Sequence, residues 1–406
     1  MTAGPRPLET TAGLATGTPA PLAHGVGSAS GLPLPLDLVL QAGAATVVLS
    51  FLIAALWWRE PRLTDPGTPP PVTGHWLRYP VLILTLYLTG NALIGPRGPQ
   101  NPAAHALFVW LWVGLVPFSL LFGPVWRAVN PLRTLFTLLG LPRRGLRPLP
   151  PGRSTAWPAA AFLLVFVWFE LVAPHGGDPV AVGLFFLGYG LSQLVLATLR
   201  GEEWFARGDC FEVYSGLAAR LRPISRLATD AVPGIAAFLA VWWGSTVYDS
   251  ASASPVWARF VRGAGLSLLV DTAGLVVICA LVLLAVRATA GKLDVTMSLV
   301  PIAVGYTLAH YLSLLIVEAP RGVLLLAGSD APWNVTPAPE VIAGAQIALI
   351  LAGHVIGVIV AHDRALALTR SLTPQRPVLA VLADELPMVL FMIGCTWAGL
   401  FLLFVR

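Results

Sequence analysis

Apolar residues in this chain fall into ten stretches, each about as long as a lipid bilayer is thick. A spanning helix needs about 20 mainly apolar residues. The stretches that meet this length are 37–58, 77–95, 105–125, 157–173, 180–199, 231–248, 264–286, 297–317, 340–361 and 387–405. Segments rich in proline, glycine and arginine separate them. The pattern predicts an all-α fold: a polytopic bundle of about ten transmembrane helices.

The composition excludes a water-soluble protein. Hydrophobic residues make up 56% of the chain and charged residues only 11%, whereas a soluble domain carries roughly 25% charged residues. Mean hydropathy is +0.77. Such a chain cannot solvate a globular surface of this size, so the lipid bilayer is its first predicted partner. The net charge of +5 is interpreted as a topology signal, and no nucleic-acid partner is predicted.

The basic residues predict the orientation of the helices. Of the 25 arginine and lysine residues, 19 lie after the first, third, fifth, seventh and ninth stretches, and six lie on the other side. Cytoplasmic loops carry the excess of basic residues in membrane proteins. The chain is therefore predicted to lie in the plasma membrane with both termini extracytoplasmic, and the alternation favours ten crossings.

The chain divides into two predicted regions. Residues 1–36, rich in Thr, Pro and Gly, are predicted to be a disordered extracytoplasmic segment without the apolar core of a signal peptide. Residues 37–406 form the transmembrane domain. Within it, amphipathic patterns near 127–141 and 208–222 predict cytoplasmic helices that lie along the membrane surface, with docking of a partner as the alternative.

Sequence motifs of common enzymes are missing from the chain. It contains no Walker loop, GxGxxG, HExxH or GxSxG motif in a suitable context. Nucleotide-driven transport, dinucleotide chemistry and serine hydrolysis therefore lack support. The three cysteines are far apart and support neither a disulfide framework nor a thiolate metal site.

Ionisable side chains inside the apolar stretches are the first candidate functional residues, because they are costly in a bilayer unless they are paired. Asp271 and His310 are both predicted about 10 Å from the outer face, on consecutive helices. Consecutive elements are commonly neighbours, so the two are predicted to pair, with Tyr306 on the same face as His310. The pair is either structural or an outward-facing site for a metal ion, proton or solute.

Further polar residues are predicted near the same level. Asn91, Glu170 and Asp249 lie close to the outer ends of their stretches, although Glu170 could simply reach the outer water. His354 is predicted about 21 Å from the outer face, and His362 lies at the cytoplasmic end. Both histidines fit ordinary packing roles equally well, with His354 bonded to a neighbouring carbonyl. Their depths argue against a haem shared by His310 and His354.

Several segments resemble a family of bacterial multi-pass membrane proteins that are identified as components of a membrane-bound fenitrothion hydrolase. The similarity spans most of the chain, and it is carried by LAHG at 22–25, LPLP at 32–35, GPVWRAVNPLRTL at 123–135, VYD at 247–249, AHYL at 309–312 and GHVIGVIVAHDRAL at 353–366. The residues that the resemblance singles out are His24, Asp249, His310, His354 and His362. A composition rich in alanine, arginine and proline with a single lysine fits an actinobacterial member.

Three functional hypotheses follow. In the first, a polar site centred on Asp271, His310, Tyr306, Glu170 and Asp249 belongs to a hydrolase, whose divalent metal is held by His310, Asp271 and His24 and activates water. Another membrane or extracytoplasmic subunit would be its partner. In the second, the acid–imidazole pair carries protons or metal ions in a transporter. In the third, the protein is a non-catalytic scaffold.

Overall fold

Every regular element that the structure describes is a helix. The computed structural model describes residues 35–63, 74–148, 155–290, 294–331, 333, 335, 337–372 and 378–404, so His24 and the predicted N-terminal segment up to residue 34 lie outside the described residues. The helices are α1 (Leu36–Trp57), α2 (Arg78–Ile94), α3 (His105–Phe122), α4 (Val125–Val129), α5 (Pro131–Leu138), α6 (Trp157–Leu171), α7 (Pro179–Arg200), α8 (Phe205–Gly208), α9 (Cys210–Ala219), α10 (Ile235–Ser252), α11 (Pro255–Ala264), α12 (Ser267–Ala290), α13 (Val300–His310), α14 (Leu312–Leu326), α15 (Pro339–Leu372) and α16 (Val378–Phe404).

Helices lie at all ten predicted positions, but not all of them are long and apolar enough to cross a membrane alone. Among the described residues, six meet both requirements: α1, α3, α7, α12, α15 and α16. A seventh span is formed if α13 and α14, which meet at a bend of 63°, are taken together. α2 and α6 have 17 and 15 residues, and α10 carries polar residues near its end. The fold is a helical membrane bundle in which six spans are clear.

Helix α10, of whose 18 residues 14 are buried, packs against α6, α12, α13 and α16. The closest helix packing is between α13 and α15, where glycines let the two backbones touch. A Cβ atom added to Gly305 would lie 2.5 Å from the carbonyl oxygen of Leu349, and one added to Gly353 would lie 2.6 Å from that of Pro301. Small residues allow this approach in membranes, where packing and not water exclusion holds helices together.

Substituting Gly353 with alanine is therefore expected to lower the free energy of unfolding by about 1–3 kcal/mol, because the new methyl group overlaps the α13 backbone. Gly344, on the same helix, is the matched control, since a Cβ there meets nothing within 4 Å. The Gly344→Ala variant should gain about 0.5–1 kcal/mol from helix propensity. Unfolding in detergent micelles, followed by circular dichroism, measures both. Equal effects of the two substitutions would contradict the packing described here.

Helix α9 differs from the prediction for residues 208–222. A surface helix was expected, but nine of its ten residues are buried, including Glu212 and Tyr214. The helix packs against α3, α4, α6, α8 and α13. An apolar stripe looks the same in a surface helix and in a buried one, and here the polar face is also covered by partners. In the other predicted region, α4 and α5 are separated at Asn130, whose side chain caps α5, and α5 has a buried and an exposed face.

The connecting segments contact one another in two groups. The first group contains only segments predicted to be cytoplasmic, joined by contacts of Asp363 with Trp58 and Leu63, of Arg364 with Asp230, and of Ala156 with Pro233. The second contains segments predicted to be extracytoplasmic, joined by contacts of Gln100 with Asp330 and of His105 with Glu318. Each described contact in these groups joins segments that the charge pattern assigns to the same side.

Candidate functional site

A buried histidine and a buried aspartate form a hydrogen-bonded pair between α10 and α13. His310 is the last residue of α13, and its Nε2 atom lies 2.8 Å from Oδ2 of Asp249, near the end of α10. His310 is 1% exposed and Asp249 is 6% exposed. Buried polar groups need hydrogen-bond partners, and these two side chains supply one to each other. The structure thus gives His310 a different partner from the predicted one.

Asp271 lies elsewhere and is satisfied by other groups. One of its carboxylate oxygens accepts hydrogen bonds from the Tyr248 hydroxyl at 3.0 Å and from Nε1 of Trp257 at 2.8 Å. The prediction of an Asp271–His310 pair assumed that consecutive helices are neighbours. Instead, α12 and α13 both pack against α10. Tyr248 of α10 contacts Asp271 of α12, and Asp249 of α10 contacts His310 of α13.

Aromatic and acidic side chains surround the His310–Asp249 pair. The ring of Tyr311 packs edge-on against the His310 ring, with centroids 4.6 Å apart. The Tyr306 ring, on the preceding turn of α13, has its centroid 5.9 Å from that of the His310 ring. Glu170, from α6, lies within electrostatic range of Asp249. The predicted residues Tyr306, Glu170, Asp249 and His310 are therefore brought together. We call these four residues and Tyr311 the outer cluster.

Three buried polar atoms in and beside the outer cluster have no hydrogen-bond partner among the described residues. They are Nδ1 of His310, Oε2 of Glu170 and the hydroxyl of Tyr214. The Tyr214 hydroxyl, carried by the buried helix α9, lies within electrostatic range of Glu170. Unpartnered buried polar groups are rare in folded proteins and are usually satisfied by water or a ligand. The outer cluster thus has free capacity to bind a small polar species.

A break in the helix lies directly beside the pair. α13 ends at His310, α14 starts at Leu312, and the two axes meet at 63°. No proline lies at the break; the amide of Tyr311 closes α13 on the carbonyl oxygens of Thr307 and Ala309. Interrupted helices with ionisable side chains at the interruption are characteristic of substrate and ion sites in transporters.

Three other predicted residues lie outside the outer cluster. The backbone carbonyl of Asn91 accepts a hydrogen bond from Asn101. His354 bonds the carbonyl of Ile350 on its own helix at 2.8 Å, which is the ordinary packing role considered above. His362 bonds Glu385 at 2.8 Å and the carbonyl oxygen of Trp58 at 3.0 Å. His24 lies outside the described residues, so its predicted role as a ligand stays a prediction.

The acid–imidazole pair of His105 and Glu318 was not predicted from the sequence. His105, the first residue of α3, lies 2.9 Å from Glu318 on α14, and Arg321 lies 3.4 Å from the same carboxylate. Glu318 and Arg321 are three residues apart, so they share a helical face. That spacing was the available signal in the sequence.

A polar network around α9 was also missed. Asp209, which is fully buried, accepts hydrogen bonds from the Tyr189 hydroxyl at 2.7 Å, from Nδ2 of Asn130 at 2.7 Å and from Nε1 of Trp126 at 3.0 Å. Burial raises the pKa of the Asp209 carboxyl, and the charge of Glu212 adds to this rise, although the three side-chain donors oppose it. Asp209 also caps α9 by accepting from the amide of Phe211.

Glu212 and Arg133 complete this network. The Nε and Nη2 atoms of Arg133 donate to the two carboxylate oxygens of Glu212 at 2.7 and 2.8 Å, which is the bidentate geometry of the strongest protein ion pairs. We call Asp209, Glu212, Arg133, Asn130 and Tyr189 the inner network. Its sequence signal was an Asp–x–x–Glu spacing at the start of a helix, which places an N-cap and an acid on the first turn.

Among the side chains that the structure describes, no group of three His, Cys, Asp or Glu residues could hold a metal ion. Comparison of the chain with protein-family models, curated proteins and solved structures found no significant match.

Proposed function

We propose that this protein is a membrane transporter that couples solute movement to protons, and that the His310–Asp249 pair carries the proton. The observation that carries the proposal is a buried imidazole–carboxylate pair at an interruption of an apolar helix. The pair is neutral overall with the proton on either partner and carries one negative charge without it, so proton binding and release change the charge that the surrounding bundle must accommodate.

The proposed topology has ten crossings in the plasma membrane, with both termini outside. The charge pattern and the grouping of the connecting segments support this arrangement. In it, α2, α6, α10 and the α13–α14 pair cross together with the six clear spans. The outer cluster then faces the outer half of the membrane, and the inner network lies towards the cytoplasm.

The outer cluster supplies the parts that proton coupling requires. Glu170 is a second carboxylate within electrostatic range of Asp249. The unpartnered Nδ1 of His310 leaves one imidazole nitrogen available to a water molecule or a solute. The bend after His310 provides a position at which the α13–α14 angle can change without breaking additional helical hydrogen bonds. Metal-assisted hydrolysis, which the resemblance implies, needs further ligands besides this pair and stays a prediction.

Proton influx into proteoliposomes tests the proposal. The protein is reconstituted with an internal pH-sensitive dye, a pH gradient is imposed, and a panel of metabolites and cations is added. We expect one solute class to trigger proton influx in the native protein. His310→Gln and Asp249→Asn should each reduce that influx by about 100-fold or more, the range typical for loss of a positioned proton carrier.

Asp271→Asn is the matched control, because Asp271 is an acid at a similar predicted depth that lies outside the outer cluster. It should retain most of the solute-triggered influx. The proposal is contradicted if no solute triggers proton influx in the native protein, or if the influx survives unchanged in the His310 and Asp249 variants.

A further inference from the structure

A basic cavity lies between the start of α6 and the end of α7. Its volume is about 360 Å3, and it is lined by Arg143, Arg144, Arg200, Arg207, Glu203 and Trp204 together with smaller residues. The four guanidinium groups come from two segments almost sixty residues apart in the chain. We call this the arginine cavity. It lies among the connecting segments that the charge pattern places in the cytoplasm, away from the outer cluster.

The two arginine-bearing segments are held together by their backbones. The amide of Leu146 donates to the carbonyl of Thr198 at 3.0 Å, and the amide of Glu202 donates to that of Arg143 at 2.9 Å. Gly145 makes this approach possible: its φ is +76°, and an added Cβ would lie 2.3 Å from the backbone nitrogen of residue 201. The cavity is therefore built by a fixed backbone contact and is not a chance meeting of flexible side chains.

Positive charge exceeds negative charge in the cavity. Glu203 pairs with Arg207 at 2.9 Å, and Glu202 lies 3.8 Å from Arg143 but also contacts Arg133 of the inner network. Arg144 and Arg200 have no acidic partner within ion-pair distance among the described residues. Guanidinium groups bind phosphate oxygens with a geometry that lysine cannot match, so a phosphate group is the expected ligand.

Apolar side chains beside the arginine cavity indicate where that phosphate comes from. Leu146, which lies two residues from the cavity residues Arg144 and Pro148, is 67% exposed, and Trp157, next to the cavity residue Pro158, is 46% exposed. Such residues are suited to the boundary between headgroups and acyl chains. Basic pockets at the cytoplasmic ends of transmembrane helices are suited to anionic lipids. We infer that the arginine cavity binds the phosphate headgroup of an anionic membrane lipid.

Native mass spectrometry of the detergent-purified full chain tests this inference, with phosphatidylglycerol and phosphatidylcholine titrated separately. The native protein should retain phosphatidylglycerol in preference to phosphatidylcholine. Arg143→Gln/Arg144→Gln should weaken phosphatidylglycerol binding about 25-fold, or about fivefold per arginine. The control Arg127→Gln/Arg222→Gln removes two exposed basic residues outside the cavity and should change binding less than twofold.

A gain of affinity provides a second test that misfolding cannot imitate. Glu203→Gln removes an acid from the cavity and should strengthen phosphatidylglycerol binding about threefold. Equal losses of phosphatidylglycerol affinity in the two arginine double variants, or no gain of affinity with Glu203→Gln, would overturn the inference that the arginine cavity is the lipid site. Inorganic phosphate is the third probe. If it displaces bound phosphatidylglycerol at low millimolar concentration, the ligand is a free phosphate compound and the lipid assignment is overturned.

Discussion

Replacing Asp249 with alanine is expected to lower the free energy of unfolding by about 3 kcal/mol, the upper end of the cost of leaving a buried polar group without its hydrogen-bond partner. His310 would lose its only described hydrogen bond to a side chain while remaining 1% exposed. Asp249→Asn should cost less, because an amide can still form a hydrogen bond with the imidazole. Unfolding in mixed micelles of increasing sodium dodecyl sulfate, followed by tryptophan fluorescence, measures the loss.

Asp271→Ala is the matched control for this experiment. Asp271 accepts two hydrogen bonds, but it is only partly buried, and Tyr248 and Trp257 lie beside it near the helix ends. Its loss should cost about 1–2 kcal/mol, the usual penalty for leaving neutral donors unsatisfied. A larger loss with Asp271→Ala than with Asp249→Ala would mean that the wrong aspartate has been assigned to His310.

Replacing Glu212 with alanine is the second substitution with a large expected effect, about 3–5 kcal/mol. The side chains of Arg133 and Glu212 are 15% and 6% exposed, so the arginine would keep its charge in a largely buried position without its bidentate partner. Glu202, at 3.4 Å, would be its remaining acidic contact. Thermal unfolding in detergent, followed by circular dichroism, is the measurement.

Two further variants distinguish the cost of leaving a buried charge without its partner from the cost of losing packing contacts. Arg133→Met/Glu212→Leu removes both charges and should recover most of the stability, because a packed apolar pair can replace a buried ion pair. Glu203→Ala breaks the exposed Arg207–Glu203 pair and should cost no more than about 1 kcal/mol. A double variant as unstable as Glu212→Ala would contradict a charge-based explanation.

The sequence was sufficient to place the long apolar helices. Apolar length predicted a helix at each of the ten stretches, although not the short helices α8 and α11, and α1 and α7 begin and end within a residue of their predicted bounds. The depth of α9 could not be predicted in the same way. Asp209 and Glu212 read as the polar side of a surface helix, and only the folded chain brings Asn130 and Arg133, about 80 residues upstream, to cover them.

The members of the outer cluster were predictable, but their pairing was not. A residue's distance along its helix gives its depth, so His310, Asp249 and Glu170 could be assigned to the same level. Which helix faces which depends on the order of helices around the bundle. Tyr248 and Asp249 are adjacent on α10, and they form separate hydrogen bonds with Asp271 and His310. Adjacent residues on one helix point in different directions, and chain order contains no information about which partner each one meets.

The burial of α9 has a consequence for how this protein is assembled in the cell. Transmembrane helices enter the bilayer one after another as the chain is synthesised, but α9 is neither long nor apolar enough to enter by itself. Its packing surface includes α10 and α13, and the latter begins about 80 residues after α9 ends. During synthesis Asp209 and Glu212 can be covered at once by Asn130 and Arg133, which are already made, but the side of α9 that contacts α10 and α13 stays uncovered until α13 has been inserted. A chain that stops before residue 300 is thus expected to expose α9, and to be a substrate for membrane quality-control proteases, even though seven of its helix positions have already been made.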